Sequence, residues 1–168
     1  GIIPVWGFAD VVASSAEGVE AGERVFGYYP TNSYLKMQSV KVFENRLIDG
    51  AEHRSKLPPG YNTYRRVGKE ADYDRNMDNM RMLLWPLYIT SFCLWDSLQH
   101  NAWHSAKQVI VISASSKTSI GLGYALAADT DAPTSIGLTS KRNQEWVAGL
   151  GLYDQTKNYD ALDEIEAS

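Results

Sequence analysis

The sequence holds one cysteine, Cys93, and three histidines, His53, His100 and His104. A single cysteine excludes an internal disulfide framework and any multi-cysteine zinc site. His100 and His104 stand four apart, a spacing that shares a helical face, but no third ligand sits near them in the chain. A catalytic zinc takes three protein ligands, so no metal is expected. Basic residues are outnumbered, with 16 Lys+Arg against 20 Asp+Glu and a net charge of −4. That balance argues against a nucleic-acid coat or a polybasic membrane binder. No stretch reaches the ~20 apolar residues that span a membrane, and a cytoplasmic protein is expected.

What is present is ordinary for a folded protein: 44% hydrophobic and 21% charged residues over 168 positions. The abrupt start at Gly1-Ile2-Ile3-Pro4 and the polar end at Asp163-Glu164-Ile165-Glu166-Ala167-Ser168 lead us to expect a piece of a longer protein.

The first half reads as strands and turns. Val5, Phe8, Val11 and Val12 lie in a β-branched and aromatic run, and Ser14 to Glu23 is a small, polar turn. Arg24-Val25-Phe26-Gly27-Tyr28-Tyr29 is a second strand. Tyr34, Leu35, Met37, Val40, Val42 and Phe43 form a third extended region. Closely spaced strands suggest a small barrel or sandwich. Residues 50–76 show no clean period and read as a loop whose aromatics need burial.

The second half changes character. Asp78 to Trp85 is Met- and Leu-rich, and Pro86 is expected to break it. Ile89, Phe92, Trp95 and Leu98 recur every three residues, which predicts a helix over 88–100, with Cys93 a packing residue on it. Gln108-Val109-Ile110-Val111-Ile112-Ser113 is a continuous apolar run, suited to a strand buried on both faces. A helical stretch then carries Gly121, Ala125 and Ala128 on one face, small enough to pack closely on a strand. Thr134–Thr139 reads as the next strand. Ser140 reads as the N-cap of a helix burying Trp146, Val147 and Leu150. The order predicts a parallel βαβαβ unit with strands 109–113, 135–139 and a third near 154–157.

Parallel strands feeding helices aim helix N-termini at one sheet edge, where backbone N–H groups and the helix dipole favour anions. The turn Ala114-Ser115-Ser116-Lys117-Thr118 lacks the G-x-G-x-x-G fingerprint and keeps only a late Gly121. Its hydroxyls and Lys117 suit a phosphate. It is not a Walker A loop, because Ser116 precedes the lysine, nor S-x-x-K, because Ala114 stands three before it. An NAD site places an acid at the end of the second strand. Here that strand ends in Thr139-Ser140-Lys141-Arg142, hydroxyls and cations that suit the 2′-phosphate of NADP (NADPH). A Ser-rich helix cap with solvated cations is the alternative reading.

These segments resemble the medium-chain dehydrogenase/reductase superfamily, whose members join a GroES-like β-domain to a Rossmann domain. Glu17-Gly18-Val19-Glu20-Ala21-Gly22-Glu23-Arg24-Val25 is similar to its G-V-x-x-G-D-R-V turn, with Glu23 in place of Asp. Thr90-Ser91-Phe92 resembles its T-A-Y segment beside the nicotinamide, Gln108 to Ala114 its first Rossmann strand, and Leu150-Gly151-Leu152-Tyr153-Asp154 its L-G-A-D. Trp6-Gly7-Phe8-Ala9, Tyr61-Asn62-Thr63-Tyr64 and Ala114-Ser115-Ser116-Lys117-Thr118 resemble a zinc-independent, quinone-oxidoreductase-like branch catalogued as domain of unknown function 2855.

The resemblance implies an α/β protein. Residues 1–84 would form a partial GroES-like β-domain with an inserted loop at 50–76, and 85–168 the first half of a Rossmann domain (a doubly wound parallel sheet). It implies an NADP-dependent oxidoreductase for a quinone, enone or other carbonyl compound, active when full length. Tyr61, Tyr64 and Thr90 are the catalytic candidates. Ser91, Ala114, Ser115, Ser116, Lys117, Thr118, Thr139, Ser140, Lys141 and Arg142 are the cofactor-binding ones. A small-molecule substrate and a homodimer are the expected partners. The alternative is a non-catalytic binding or structural protein that keeps the fold without the cofactor.

Overall fold

A computed structural model describes residues 3–165; the ends of the two expected domains, residues 1–2 and 166–168, lie outside the described residues. The fold is mixed α/β, and the chain divides into two units at Leu83/Leu84.

The first unit is a five-stranded antiparallel sheet in the order β1-β2-β5-β4-β3. Its strands are β1 (Pro4–Asp10), β2 (Arg24–Pro30), β3 (Lys41–Val42), β4 (Arg46–Ile48) and β5 (Thr63–Arg66). Directly paired residues share a face. Register Gly7↔Gly27 and Leu47↔Tyr64 sets Val25, Gly27, Tyr29, Leu47 and Tyr64 on one face, where four of them form the buried cluster. Trp6, Phe8, Phe26 and Tyr28 line the other face and stack on one another.

Two expectations change here. The third extended region, 34–43, contributes only the two residues of β3; residues 31–40 are irregular. Their backbone bonds elsewhere: Gln38 N–H donates to Asp49 Oδ1 (3.0 Å), and Gly50 N–H donates to Gln38 O (2.9 Å). The stretch 50–76 is no plain loop, because it contains β5 between short 3-10 turns. Two arginines disguise that strand, yet Arg66 is buried. Its guanidinium makes a two-pronged ion pair with Glu23 and also donates to Gly18 O (2.6 Å) and Phe43 O (3.0 Å). Burying a guanidinium is tolerable only with its hydrogen bonds met. Gly18 (φ +77°) and Gly22 (φ +87°) give the 14–23 turn the left-handed backbone that delivers Glu23 to this pair.

α1 (Asp78–His100) runs unbroken through Pro86, against expectation. A proline inside a helix removes one hydrogen bond and costs roughly 3 kcal/mol. Anchors at both ends outweigh that. Asp78 accepts from Arg24 (2.7 Å) and Tyr73 (3.1 Å) in the first unit. In the second, Ser91 Oγ donates to Thr118 O (2.7 Å) and Trp95 Nε1 donates to Asp129 (2.9 Å). Cys93, expected to pack, is exposed, because α1 buries the face of Ser91 instead.

The second unit is a three-stranded parallel sheet in the order β6-β7-β8, from β6 (Gln108–Ile112), β7 (Thr134–Thr139) and β8 (Gln155–Asn158). α2 (Lys117–Ala128) and α3 (Gln144–Gly149) are the crossovers, so the expected βαβαβ order is present. Register Val111↔Gly137 places Val109, Val111 and Gly137 on one face and Ile110, Ile112, Ile136 and Leu138 on the other. Val111 packs with Leu122 and Leu126 of α2. β6 is not buried on both faces as expected: Ile110 is 46% and Ile112 65% exposed. α2 covers the Val111 face, whereas Ile110 and Ile112 join neither buried cluster, and β6 is an edge strand whose only sheet neighbour among the described residues is β7.

Two helix details also differ. Gly121 lets α2 approach α1 rather than a strand, since a Cβ there would sit 2.9 Å from Ser91 Oγ, and Ala128 is exposed. In α3 the buried residue is Val147, while Trp146 is 53% exposed. Six residues make fewer than two turns, which bury one narrow stripe.

Candidate functional site

β6 ends at Ile112, and Ser113 turns the chain with φ +53°, a conformation that glycine adopts more readily than serine. Two bonds hold the turn: Ser113 N–H donates to the Tyr159 hydroxyl (3.1 Å), and Ala114 N–H donates to Leu138 O (3.0 Å). Ala114 is fully buried against the end of β7. Ser116 then caps α2, its Oγ accepting from Ser119 N–H (3.2 Å). Ile120 N–H reaches Ser116 O (2.9 Å). This leaves the amides of Lys117 and Thr118 at the positive end of a 12-residue helix.

The second turn meets the first. Thr139, 1% exposed, closes β7 with its Oγ1 3.4 Å from Ser115 Oγ. Asn143 Nδ2 donates to the same Ser115 Oγ at 3.1 Å. Ser140, Lys141 and Arg142 lie between these two contacts in the chain, on the turn leading into α3. Ser140 is positioned as an N-cap but makes no side-chain cap bond. Lys117, Lys141 and Arg142 are exposed and enter no ion pair among the described residues. Thus Ala114, Ser115, Ser116, Lys117, Thr118, Thr139, Ser140, Lys141 and Arg142 lie on two turns joined at the C-terminal edge of the parallel sheet.

Ser91 sits behind this edge. It is wholly buried on α1, and its hydroxyl lies on the carbonyls of Thr118 (2.7 Å) and Leu87 (3.1 Å). Thr90 is exposed, its hydroxyl donating to Pro86 O (3.2 Å). Tyr61 and Tyr64 belong to the first unit. Tyr64 is 0% exposed, its hydroxyl donates to Tyr28 O (3.1 Å), and burial pushes its pKa up to about 12. Tyr61 is 37% exposed, its ring against Tyr28 (4.8 Å between centroids) and Trp6 (6.0 Å).

Four residues that hold the parallel unit together escape a reading of the sequence. Tyr153 inserts its ring between Gly123 of α2 and Gly137 of β7. Its hydroxyl donates to Ser119 O (2.8 Å) in the first turn of α2, and burial raises its pKa to about 12, so it remains a neutral donor. Asn143 and Tyr159 carry no local signal, since their partners lie 28 and 46 residues away.

Asp154 is the fourth. Its Oδ2 accepts from Ser135 N–H (2.7 Å) and Oγ–H (2.8 Å), while its own N–H donates to Ser135 Oγ (3.0 Å). The Ser135 amide, and then its hydroxyl, hold the Asp154 carboxyl below its ordinary pKa. A depressed carboxyl adds stability that is present above its unfolded pKa, about 3.9, and lost as pH falls through the folded value. Asp154→Ala is therefore expected to destabilise the protein by about 1 kcal/mol at pH 7, after allowance for solvent. That difference should shrink towards zero as pH falls through the folded pKa, which urea titrations at pH 7 and below would measure.

Among the described residues no three His, Cys, Asp or Glu side chains converge to hold a metal, and no helix is long and apolar enough to cross a membrane. A family model described as "Protein of unknown function (DUF2855)" matches residues 1–168. No curated protein matches the chain.

Proposed function

We propose that this chain, which belongs to the DUF2855 family of proteins of unknown function, is an NADP(H)-dependent, zinc-independent oxidoreductase for a quinone, enone or other carbonyl compound. On this reading the antiparallel unit is part of a GroES-like β-domain and the parallel unit the first half of a Rossmann domain, as in medium-chain dehydrogenase/reductases. One observation carries it. The turns after β6 and β7 meet through Ser115, Thr139 and Asn143, and carry three cations that enter no ion pair among the described residues. Adjacent parallel strands put a dinucleotide at this edge.

The residues fit the cofactor's anionic end. The amides of Lys117 and Thr118, with the Lys117 ammonium, would hold the pyrophosphate. Ser140, Lys141 and Arg142 would hold the 2′-phosphate, Arg142 with its planar fork. No acid occupies 139–142 to select a free ribose hydroxyl. A bound nicotinamide supplies hydride, and the protein binds, orients and excludes water. Tyr61 carries the proton-donor role in this reading, because the Tyr64 hydroxyl is committed to Tyr28 O. Thr90 would orient the nicotinamide or substrate.

A second reading has one observation in its favour. The Ser113 amide, at the turn where a dinucleotide fold places its glycines, is taken by the Tyr159 hydroxyl. That closure suits a binding or structural protein without cofactor. Titration with NADPH and NADH separates the two. NADPH is expected to bind at least tenfold tighter than NADH. Replacing Lys141 and Arg142 together by Ala should weaken NADPH tenfold or more, as loss of charge-assisted bonds of about 1.5–3 kcal/mol each requires, with NADH nearly unchanged. Absence of NADPH binding, or equal weakening of both cofactors, rejects the oxidoreductase reading.

A further inference from the structure

The first unit contains a cavity of about 520 Å³ that the function above does not use. Small-molecule sites span roughly 300–1,000 Å³ and are mostly apolar with few polar groups. The inner wall is the core face of the sheet, with Val25, Tyr29 and Leu47. The outer wall is the irregular stretch 31–40, whose Leu35, Met37 and Val40 turn inward. This explains why a run that reads as a strand forms no ladder before Lys41: its apolar side chains roof a cavity. The roof is tied down at Gln38, through Asp49 and Gly50.

The polar groups of the lining restrict the occupant. The Tyr29 hydroxyl is spent on Val25 O (3.1 Å). Asp10 pairs with Arg24 at 2.8 Å, a guanidinium it shares with Asp78 at 2.7 Å. Lys36 is exposed and enters no ion pair among the described residues, so it is the one cation of the lining and is open to an anion. The other polar side chains of the lining, Ser14, Ser15, Asn32, Ser33 and Tyr34, are uncharged. An apolar inner wall with a single cation beside it matches an unbranched chain ending in one anion.

We propose that this cavity binds a medium-chain monocarboxylate, its alkyl chain against Val25, Leu35 and Leu47 and its carboxylate at Lys36. The site lies wholly within the first unit and is independent of the cofactor reading.

Calorimetric titration of the purified protein with octanoate, decanoate and dodecanoate tests it. Each buried methylene strengthens binding about fourfold, so decanoate should bind about fifteen-fold tighter than octanoate. Lys36→Glu, a surface change, should weaken decanoate at least tenfold and leave decanol unchanged. Leu35→Trp, which fills the chamber from an irregular segment, should remove binding of both while the circular dichroism spectrum is retained. Affinity that does not rise with chain length would overturn the proposal, as would decanol binding as tightly as decanoate. If Leu35→Trp unfolds the protein, the chain-length series and Lys36→Glu still decide.

Discussion

Gly27→Ala will destabilise the antiparallel unit by about 3 kcal/mol, the upper end of the overpacking range. Gly27 lies mid-strand in β2, opposite Gly7 of β1. The Tyr64 ring lies flat on it, and a Cβ built at Gly27 falls within that ring's contact envelope, 2.8 Å from Cε1. The ring has nowhere to retreat. It is fully buried, its hydroxyl is pinned to Tyr28 O, and it packs against Tyr29 (5.2 Å between centroids) and the Arg54 guanidinium (5.8 Å). Alanine would otherwise be the better strand residue by about 0.5–1 kcal/mol, so a loss is the signature of the ring. Urea unfolding of Gly27→Ala, Tyr64→Leu and the double variant measures it. Tyr64→Leu should cost at least about 1 kcal/mol less in the Gly27→Ala background than alone. Strict additivity would show that the two residues do not share this space.

The parallel unit has the same device, and Tyr153→Ala should cost about 2–3 kcal/mol, at or below the low end for losing a fully buried aromatic, because the ring is half-buried. The ring is the spacer between α2 and the sheet. Cβ atoms built at Gly123 and Gly137 would lie 2.9 Å and 2.6 Å from it, so both glycines exist to admit it. Its loss leaves a slot with a bare backbone on each side, which neighbouring side chains cannot fill. Tyr153→Phe keeps the ring and gives up the bond to Ser119 O, for about 1 kcal/mol. Hydrogen exchange should locate the damage in α2, β6 and β7. A Tyr153→Ala protein as stable as its parent would show that α2 is held by other contacts.

Local chemistry was enough to read the alternation of the second half. A continuous apolar run, a small-residue turn and a 3.6-residue pattern are short-range signals, and they recur in order from Gln108 to Asn158. The joined turns of the candidate site follow from that order, because parallel neighbours must end at one edge. The glycine-rich turn before β2 was equally legible. Tertiary structure decided the rest, wherever the partner is distant. Arg66 reads as a loop residue until Glu23, 43 positions earlier, is brought beside it. Pro86 reads as a helix stop until both ends of α1 are anchored. Residues 34–43 read as a strand, but only Lys41 and Val42 join the ladder, and the apolar side chains before them roof a cavity instead. β6 reads as buried on both faces because an apolar run names no cover; only its neighbours decide which side is wet. Tyr153 and its two glycines carry meaning only together, since a hole and its filler are complementary shapes and neither is written in local propensity.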